Sequence, residues 1–192
     1  MIKTKEQLDQ CLATEKEFYV PRSFCRRIKN RLRGSISCYL WRYIKALRKM
    51  EYYHHKRAGK PLYAFMYYWY SRVVSRVGMK LGIEADAGVF AEGLRIYHPY
   101  GIVINGDAKV GKNCILHGNN VIGNMGNDLC APVIGDNVRL GAGAKVLGGV
   151  TIADNVQIGA GSLVIHSCTE EGALLIGFPA RVHRSGEQKS QQ

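Results

Sequence analysis

Residues 134–164, which read IGDNVRLGAGAKVLGGVTIADNVQIGAGSLV, decide the fold of this chain. An aliphatic residue falls on every sixth position of this stretch, at Ile134, Leu140, Val146, Ile152, Ile158 and Val164. An α-helix repeats every 3.6 residues and an amphipathic strand every two, so neither produces a clean period of six. The six-residue period is typical of a parallel β-helix, in which short strands coil around a three-sided prism.

The same period continues upstream. The aliphatic positions there are Ile104, Val110, Leu116 and Ile122. One step earlier the register lands on His98, and a polar residue in an aliphatic column tends to mark a functional or strained site. Residues 124–132 (NMGNDLCAP) carry no aliphatic pattern, so we predict that they form a loop that leaves the coil and carries specificity.

The period also predicts which residues stack. Three hexads complete one turn of a three-sided coil, so residues about eighteen apart are expected above one another. His98 is then predicted to lie over Leu116, Ile134 and Ile152, with His117 one layer below His98 at the same corner.

Charge divides the chain in two. Residues 1–82 hold 19 Lys and Arg against 5 Asp and Glu, a net charge of +14, whereas residues 83–192 hold 8 against 10, a net charge of −2. We therefore predict a mainly β protein: a basic α-helical domain over 1–82, a β-helix domain over 83–184 and a disordered polar tail over 185–192.

The helical half contains recognisable start and stop signals. Thr4 with Gln7 forms a capping-box pattern that opens a helix over about 5–18, and Pro21 interrupts it. A basic stretch then ends at Gly34. Two more helices are predicted, over about 38–57 and 62–81, with Gly82 as the stop of the second.

Composition narrows the partners and the compartment. No nucleic-acid-binding motif accompanies the basic half, so nucleic acid is not expected. A packed helical core with Lys and Arg at its surface is the main interpretation, and contact with an anionic membrane surface is the alternative. The most apolar run, 62–70, is too short to span a bilayer, and residues 1–10 are too polar for a signal peptide. Six cysteines without a CxxC pair indicate a reduced cytoplasmic protein, at most peripheral to the inner membrane face. No metal-ligand spacing is present, so no metal is expected.

Two further segments carry a family likeness. Together with the hexads, residues 96–104 (IYHPYGIVI) and 177–182 (GFPARV) resemble bacterial hexapeptide-repeat acyltransferases, and the serine acetyltransferase group looks nearest. The resemblance covers about residues 60–184. It implies a left-handed coil, a trimer or dimer of trimers, and acetyl-CoA as the donor substrate.

The resemblance also assigns roles and shows departures. His98, with Gly101, Ile102 and Val103, matches the family's general-base segment. Ile83 stands where the serine-specific enzymes carry an aspartate, and Cys130-Ala131-Pro132 replaces their Arg-His-Pro. Loss of an arginine that binds a carboxylate favours a different acceptor, a sugar of a surface polysaccharide. Serine O-acetylation, as in cysteine synthesis, is the alternative, and a non-catalytic β-helix scaffold is the second alternative.

Acyl transfer to an alcohol needs a base and an oxyanion donor. An imidazole suits the first task at neutral pH, so His98 is the predicted base and His117 the runner-up. Either a main-chain carbonyl or one of three acids is expected to orient His98, and the sequence does not choose among them: Glu84, Asp86 and Glu92. The predicted acceptor-site residues are Asn119, Asn120 and Cys130. The candidate oxyanion donors are backbone N–H groups or the two asparagine side chains.

Coenzyme A needs a surface that its pantetheine arm can approach closely. The small residues predicted to provide it are Gly141, Ala142, Gly159 and Ala160, and the family's closing segment adds Gly177, Pro179 and Arg181. Lys145 is the predicted phosphate contact, with Arg139 and Arg184 also available.

Overall fold

The computed structural model describes residues 2–126 and 130–183. Four helices precede the strands in this part of the chain: α1 (Lys5–Tyr19), α2 (Phe24–Leu32), α3 (Ile36–Lys56) and α4 (Pro61–Leu81). The predicted capping box of α1 is confirmed, since the Gln7 amide N–H donates to Thr4 Oγ1 at 3.2 Å and Gln7 Oε1 accepts from the Thr4 N–H at 3.1 Å. None of the helices in these ranges is both long and apolar enough to span a membrane.

The basic stretch after Pro21, for which the sequence pattern predicts no secondary structure, forms α2. This helix contributes no buried residue to the core. It ends before Gly34, which has a φ of +61° in the left-handed region that glycine adopts readily.

The stop predicted at Gly82 is confirmed. Gly82 has a φ of +62°, and its N–H donates to the carbonyl oxygen of Gly78. A side chain at Gly78 would bring its Cβ within 2.6 Å of the Ile83 carbonyl oxygen, so glycine here lets α4 lie directly against the first strand.

Fourteen short strands follow in the described residues. They are β1 (Ile83–Glu84), β2 (Arg95–Ile96), β3 (Ile102–Ile104), β4 (Lys109–Val110), β5 (Ile115–Leu116), β6 (Val121–Gly123), β7 (Val133–Ile134), β8 (Arg139–Leu140), β9 (Lys145–Leu147), β10 (Thr151–Ile152), β11 (Gln157–Ile158), β12 (Leu163–Val164), β13 (Leu174–Gly177) and β14 (Ala180–Val182).

These strands form three sheets, which we call faces 1, 2 and 3. Face 1 is ordered β1-β3-β6-β9-β12, face 2 is β10-β7-β4, and face 3 is β14-β13-β11-β8-β5-β2. From β3 to β12 the chain passes through faces 1, 2 and 3 in strict rotation, and all pairings are parallel except β13 with β14. The predicted three-sided parallel coil is therefore present.

The step between stacked strands is not constant, and this corrects one prediction. The step is eighteen residues for Val103 to Val121, but twenty-four for Leu116 to Leu140, because β6 and β7 are separated by six more residues than a regular corner contains. Leu116 therefore stacks on Leu140, whereas Ile134 belongs to face 2.

The predicted place of His98 in the aliphatic column is also wrong. Ile96, not His98, pairs with Leu116, a step of twenty residues, because the corner between β2 and β3 is two residues longer than a regular corner. His98 is exposed in this enlarged corner. The break in the pattern is real, but its cause is a wider turn rather than a buried imidazole.

A buried charge cluster joins the helices to the coil. Arg48 on α3 donates to both carboxylate oxygens of Glu15 on α1, with the shortest contact at 2.6 Å, and to the carbonyl oxygens of Phe90 and Ala91. Glu15 Oε1 also accepts the N–H of Leu94 at 3.1 Å. Pairing of this kind compensates the desolvation cost of buried charges.

Candidate active site

The two predicted histidines and most of the predicted small residues lie on one edge of the prism. This edge, which we call the site edge, is the series of corners where the chain turns from face 3 to face 1. It consists of residues 97–101, 117–120, 141–144 and 159–162, with Gly177 at its end.

Backbone hydrogen bonds run along the whole site edge from layer to layer. The Asn119 N–H donates to Tyr100 O, the Gly143 N–H to Gly118 O, and the Gly161 N–H to Ala142 O. At the end, the Gly177 N–H donates to Ser162 Oγ at 3.2 Å. The edge is therefore a continuous rigid surface rather than a set of separate loops.

The His98 corner is held from above by the end of α4. The N–H of Tyr100 donates to the carbonyl oxygen of Leu81 at 2.6 Å, and the N–H of Ile102 donates to that of Gly82 at 3.0 Å. Tyr100 has a φ of +79°, an uncommon value for a non-glycine residue, and these bonds fix it. The helical half thus sets the position of the corner that carries His98.

Gly101 shows why the family-like segment needs a glycine. Its φ is +70°, and a Cβ at this position would lie 2.6 Å from Asn119 Oδ1 in the layer below. Any other residue here would strain the backbone at this positive φ and displace the Asn119 side chain.

His117 lies next to His98, as predicted. Its ring stacks on Tyr97 with 5.0 Å between ring centroids and 8° between planes. Gly118 packs beneath His98, since a Cβ there would be 2.6 Å from the His98 carbonyl oxygen. Partial burial lowers the pKa of His117, and the positive charges of Arg139 and His98 lower it further. These effects favour a neutral His117 imidazole beside His98.

The three candidate acids are directed elsewhere. Glu92 pairs with Lys112 Nζ at 3.0 Å. Asp86 packs on Gly106 at the far end of β3, which removes it as a partner for His98. Glu84 pairs in register with Val103 on face 1 and, like Asp86, contributes to raising the pKa of the buried Tyr43, after desolvation as the main cause. No hydrogen bond or ion pair in residues 2–126 and 130–183 joins His98 to any of these acids.

The two candidate amides differ. Asn119 is exposed on the site edge with a φ of +52°. Asn120 is fully buried, its Oδ1 accepts the Gly118 N–H at 2.9 Å, and its Nδ2 donates to Gly141 O at 2.7 Å. Asn120 is therefore wrong as an oxyanion donor, because its side chain points into the coil. Asn120 instead holds Gly118, which packs beneath His98, and so has a positioning role. The sequence pattern alone does not reveal this role.

The glycines and alanines predicted to contact coenzyme A lie on the site edge. A Cβ on Gly141 would be 2.6 Å from the Ala160 N, so close layer stacking alone requires glycine there. Gly159 lies beneath it at the next layer, with Ala142 and Ala160 beside them at the same two corners. The result is a strip with almost no projecting side chains.

The end of this strip is formed by the closing segment. Gly177 has a φ of +112°, and the Phe178–Pro179 peptide bond is cis. Arg181 on β14 and Lys145 on β9 are both exposed, and Arg139 lies outward on face 3. Arg184 lies outside the described residues, as does the predicted disordered tail.

The structure places Cys130 apart from the other site residues. Cys130 is exposed, in the predicted loop between β6 and β7. That loop leaves the coil where face 1 turns to face 2, so it does not belong to the site edge of its own chain. In the parts of the chain that the structure describes, no three His, Cys, Asp or Glu side chains converge as metal ligands would.

Comparison with known proteins identifies the class. Residues 131–166 match the family model described as bacterial transferase hexapeptide (six repeats). Serine acetyltransferase of Synechocystis sp. is 39% identical over 137 residues, which cover 69% of this chain and 55% of that protein. The putative colanic acid biosynthesis acetyltransferase WcaB of Escherichia coli K12 is 36% identical over 112 residues, covering 58% of this chain and 68% of that protein.

The fold agrees with this likeness. A solved serine acetyltransferase in complex with CoA superimposes with a TM-score of 0.69 at 18% identity, covering 93% of this chain and 71% of that one. The chain belongs to the bacterial hexapeptide-repeat acyltransferases, in the serine acetyltransferase-like group. It spans about half of the length of the serine acetyltransferases that it matches.

Proposed function

We propose that this chain is an O-acetyltransferase that moves acetyl from acetyl-CoA to a hydroxyl of a surface polysaccharide sugar. The observation that carries the proposal is the site edge, where His98 and His117 stand at the head of a glycine-lined strip. A strip without projecting side chains suits the pantetheine arm of acetyl-CoA. Exposed Lys145 and Arg181 are the proposed phosphate contacts.

In the proposed reaction His98 acts as general base. It takes the proton of the acceptor hydroxyl as that oxygen attacks the thioester carbonyl carbon. The tetrahedral oxyanion collapses, the carbon–sulfur bond breaks, and the CoA thiolate takes the proton from the imidazolium. Asn119 and backbone N–H groups of the site edge are the proposed oxyanion donors.

Two observations support a sugar acceptor. Cys130-Ala131-Pro132 offers no arginine to bind an amino-acid carboxylate, and one relative is named for colanic acid biosynthesis. The 39% identity with a serine acetyltransferase favours serine as the second candidate acceptor.

We further propose a left-handed coil, a division into a helical domain over 1–82 and a β-helix domain over 83–184, and a trimeric or hexameric assembly in the cytoplasm. The trimer is supported by the family resemblance, and Cys130, between β6 and β7, lies away from the site edge of its own chain. In a trimer, the loop of a neighbouring chain would complete the site. Light scattering of the purified chain tests the assembly, and a monomeric mass would contradict it.

Free-thiol release from acetyl-CoA, measured with sugar oligosaccharides and with serine, tests the activity and the acceptor. Faster release with the sugar is expected. Saturation by serine at low concentration, without any sugar response, would replace the sugar by the alternative acceptor.

Replacing His98 by alanine should lower the rate by about 10²- to 10⁴-fold, which is the usual contribution of a general base. His166→Ala is the matched control, because His166 is also an exposed histidine but lies after β12, at a corner away from the site edge. Equal rates for the two variants would overturn the assignment of His98.

A further inference from the structure

Helix α2 is an amphipathic surface helix whose apolar side is uncovered. Its apolar residues are spaced by four, and Phe24, Ile28 and Leu32 are 71%, 45% and 83% exposed. At about 100° per residue they form one stripe roughly 80° wide along the helix. Single exposed apolar residues are common on protein surfaces. Three on the same side of a helix that has no buried residue are unusual.

The rest of α2 and its flanks are positively charged. Residues 22–33 contain six Lys and Arg and no Asp or Glu. The guanidinium of Arg27 is tied to the chain by bonds to Pro21 O and Arg22 O. No ion pair formed by the described residues involves this segment, so its charge is not neutralised by the protein itself.

The apolar stripe and the positive charge of α2 together favour one class of partner. A nucleic acid would satisfy the cations but leave Phe24 and Leu32 in water, since phosphates offer them no apolar surface. An anionic lipid surface satisfies both, because the stripe enters the acyl boundary while the cations meet the headgroups.

We propose that α2 docks this protein onto an anionic membrane surface, lying in the interface with Phe24, Ile28 and Leu32 buried among lipid. Ile36, the first residue of α3, is also exposed and follows directly after the turn at Gly34. The inference is independent of acetyl transfer, since α2 contains no residue of the site edge.

Co-sedimentation of the full chain with vesicles tests the docking. Binding is expected to phosphatidylcholine vesicles that contain phosphatidylserine, and not to pure phosphatidylcholine. Because screening weakens exposed charge interactions, high salt should release most of the protein. Equal binding to both vesicle types, or none to either, would overturn the proposal.

Two variants locate the contact. The triple change Phe24→Ser, Ile28→Ser and Leu32→Ser should reduce vesicle binding at least tenfold, and Arg26→Glu with Arg31→Glu should do the same while keeping the stripe. The matched control is Leu62→Ser, Phe65→Ser and Trp69→Ser on α4, whose side chains are 57–68% exposed. This control should bind as the unmodified chain does.

Three readouts separate membrane docking from misfolding, from loss of activity and from self-association. Circular dichroism should show that all three variants keep their fold. Thiol release with a soluble acceptor should be unchanged in all three, which separates loss of membrane docking from loss of activity. If the α2 variants bind vesicles normally, the proposal fails. A smaller particle mass by light scattering for the α2 triple variant, without any vesicle binding by the parent, would assign the stripe to a second copy instead.

Discussion

At the residue scale, the site depends on small backbone-level features more than on charged partners. His98 is held by its corner, with Gly101 and Gly118 allowing the layers to meet and Asn120 binding Gly118 from inside the coil. Polar groups buried without a partner cost about 1–3 kcal/mol, so each of these contacts resists loosening.

Changing Asn120 to Leu should impair the site without removing any group that touches substrate. The Gly118 N–H would lose its partner, whereas the Gly141 carbonyl oxygen would keep the Ala144 N–H, and we expect a loss of about 1–3 kcal/mol in the free energy of unfolding. Thiol-release kinetics should show a lower kcat. An unchanged kcat would show that Asn120 does not position His98.

His117 should titrate below the ordinary histidine value of about 6.5. Its burial and the charges of Arg139 and His98 disfavour the imidazolium, so this residue weakens folding as the pH falls below about 6.5 and has no such effect above it. NMR titration checks the pKa. Arg139→Met should raise it only in part, because burial is the largest cause, and Lys145→Met is the control. A midpoint at or above 6.5 in the unmodified chain would contradict the described environment.

At the element scale, the hexad period predicts the strands and their inward residues, but only in part their stacking. A period of six fixes the phase of a residue, and so whether it points inward. It does not fix which of three faces the residue occupies, because one added hexad keeps the inward phase and moves the next strand to another face. Two extra corner residues shift the phase itself, so that Ile96 rather than His98 is the inward residue. This is why the stacking of Leu116 over Ile134 is wrong and why the period misplaces the corner at His98.

Within the site, the sequence identifies the glycine strip because these residues lie at regular corners. It identifies His98 by the family-like segment rather than by the period, since the His98 corner is enlarged. The sequence does not show that the three candidate acids lie away from His98, nor that Asn120 is buried and holds Gly118. Those depend on which layers and faces meet, and a linear pattern carries no such information for residues like Asp86 that lie before the regular hexads begin.

The inward column should be sensitive to cavities. Leu140 is completely buried, and Leu140→Ala should cost about 2–5 kcal/mol of unfolding free energy in denaturant titrations. Val133, which points outward on face 2, is the control, and Val133→Ala should cost far less. Equal losses at the two positions would contradict the inward register.

At the scale of the whole molecule, the helical half and the coil are joined by buried contacts. Arg48 on α3 links α1, through Glu15, to the carbonyl oxygen of Phe90 between β1 and β2. Helix α4 fixes the His98 corner through the carbonyl oxygens of Leu81 and Gly82. Destabilising the helices is therefore expected to disturb the site edge, although no helical residue forms part of it.

Glu15→Gln tests this connection. Breaking a buried ion pair from one side costs up to about 3–5 kcal/mol, and here Arg48 would keep its longer contact with Glu51, at 3.4 Å. Thermal unfolding should show a lower Tm, whereas Glu17→Gln, on the same helix but exposed, should leave it nearly unchanged. Similar Tm values for both variants would show that the cluster does not hold the two halves together.

The central claim is that one edge of the coil is the place of acetyl transfer, and a crystal structure with CoA tests it most directly. The account predicts that the pantetheine arm lies along Gly141 and Gly159, with its sulfur beside His98. Density for CoA on another edge or face, with the sulfur remote from the His98 imidazole, would contradict it.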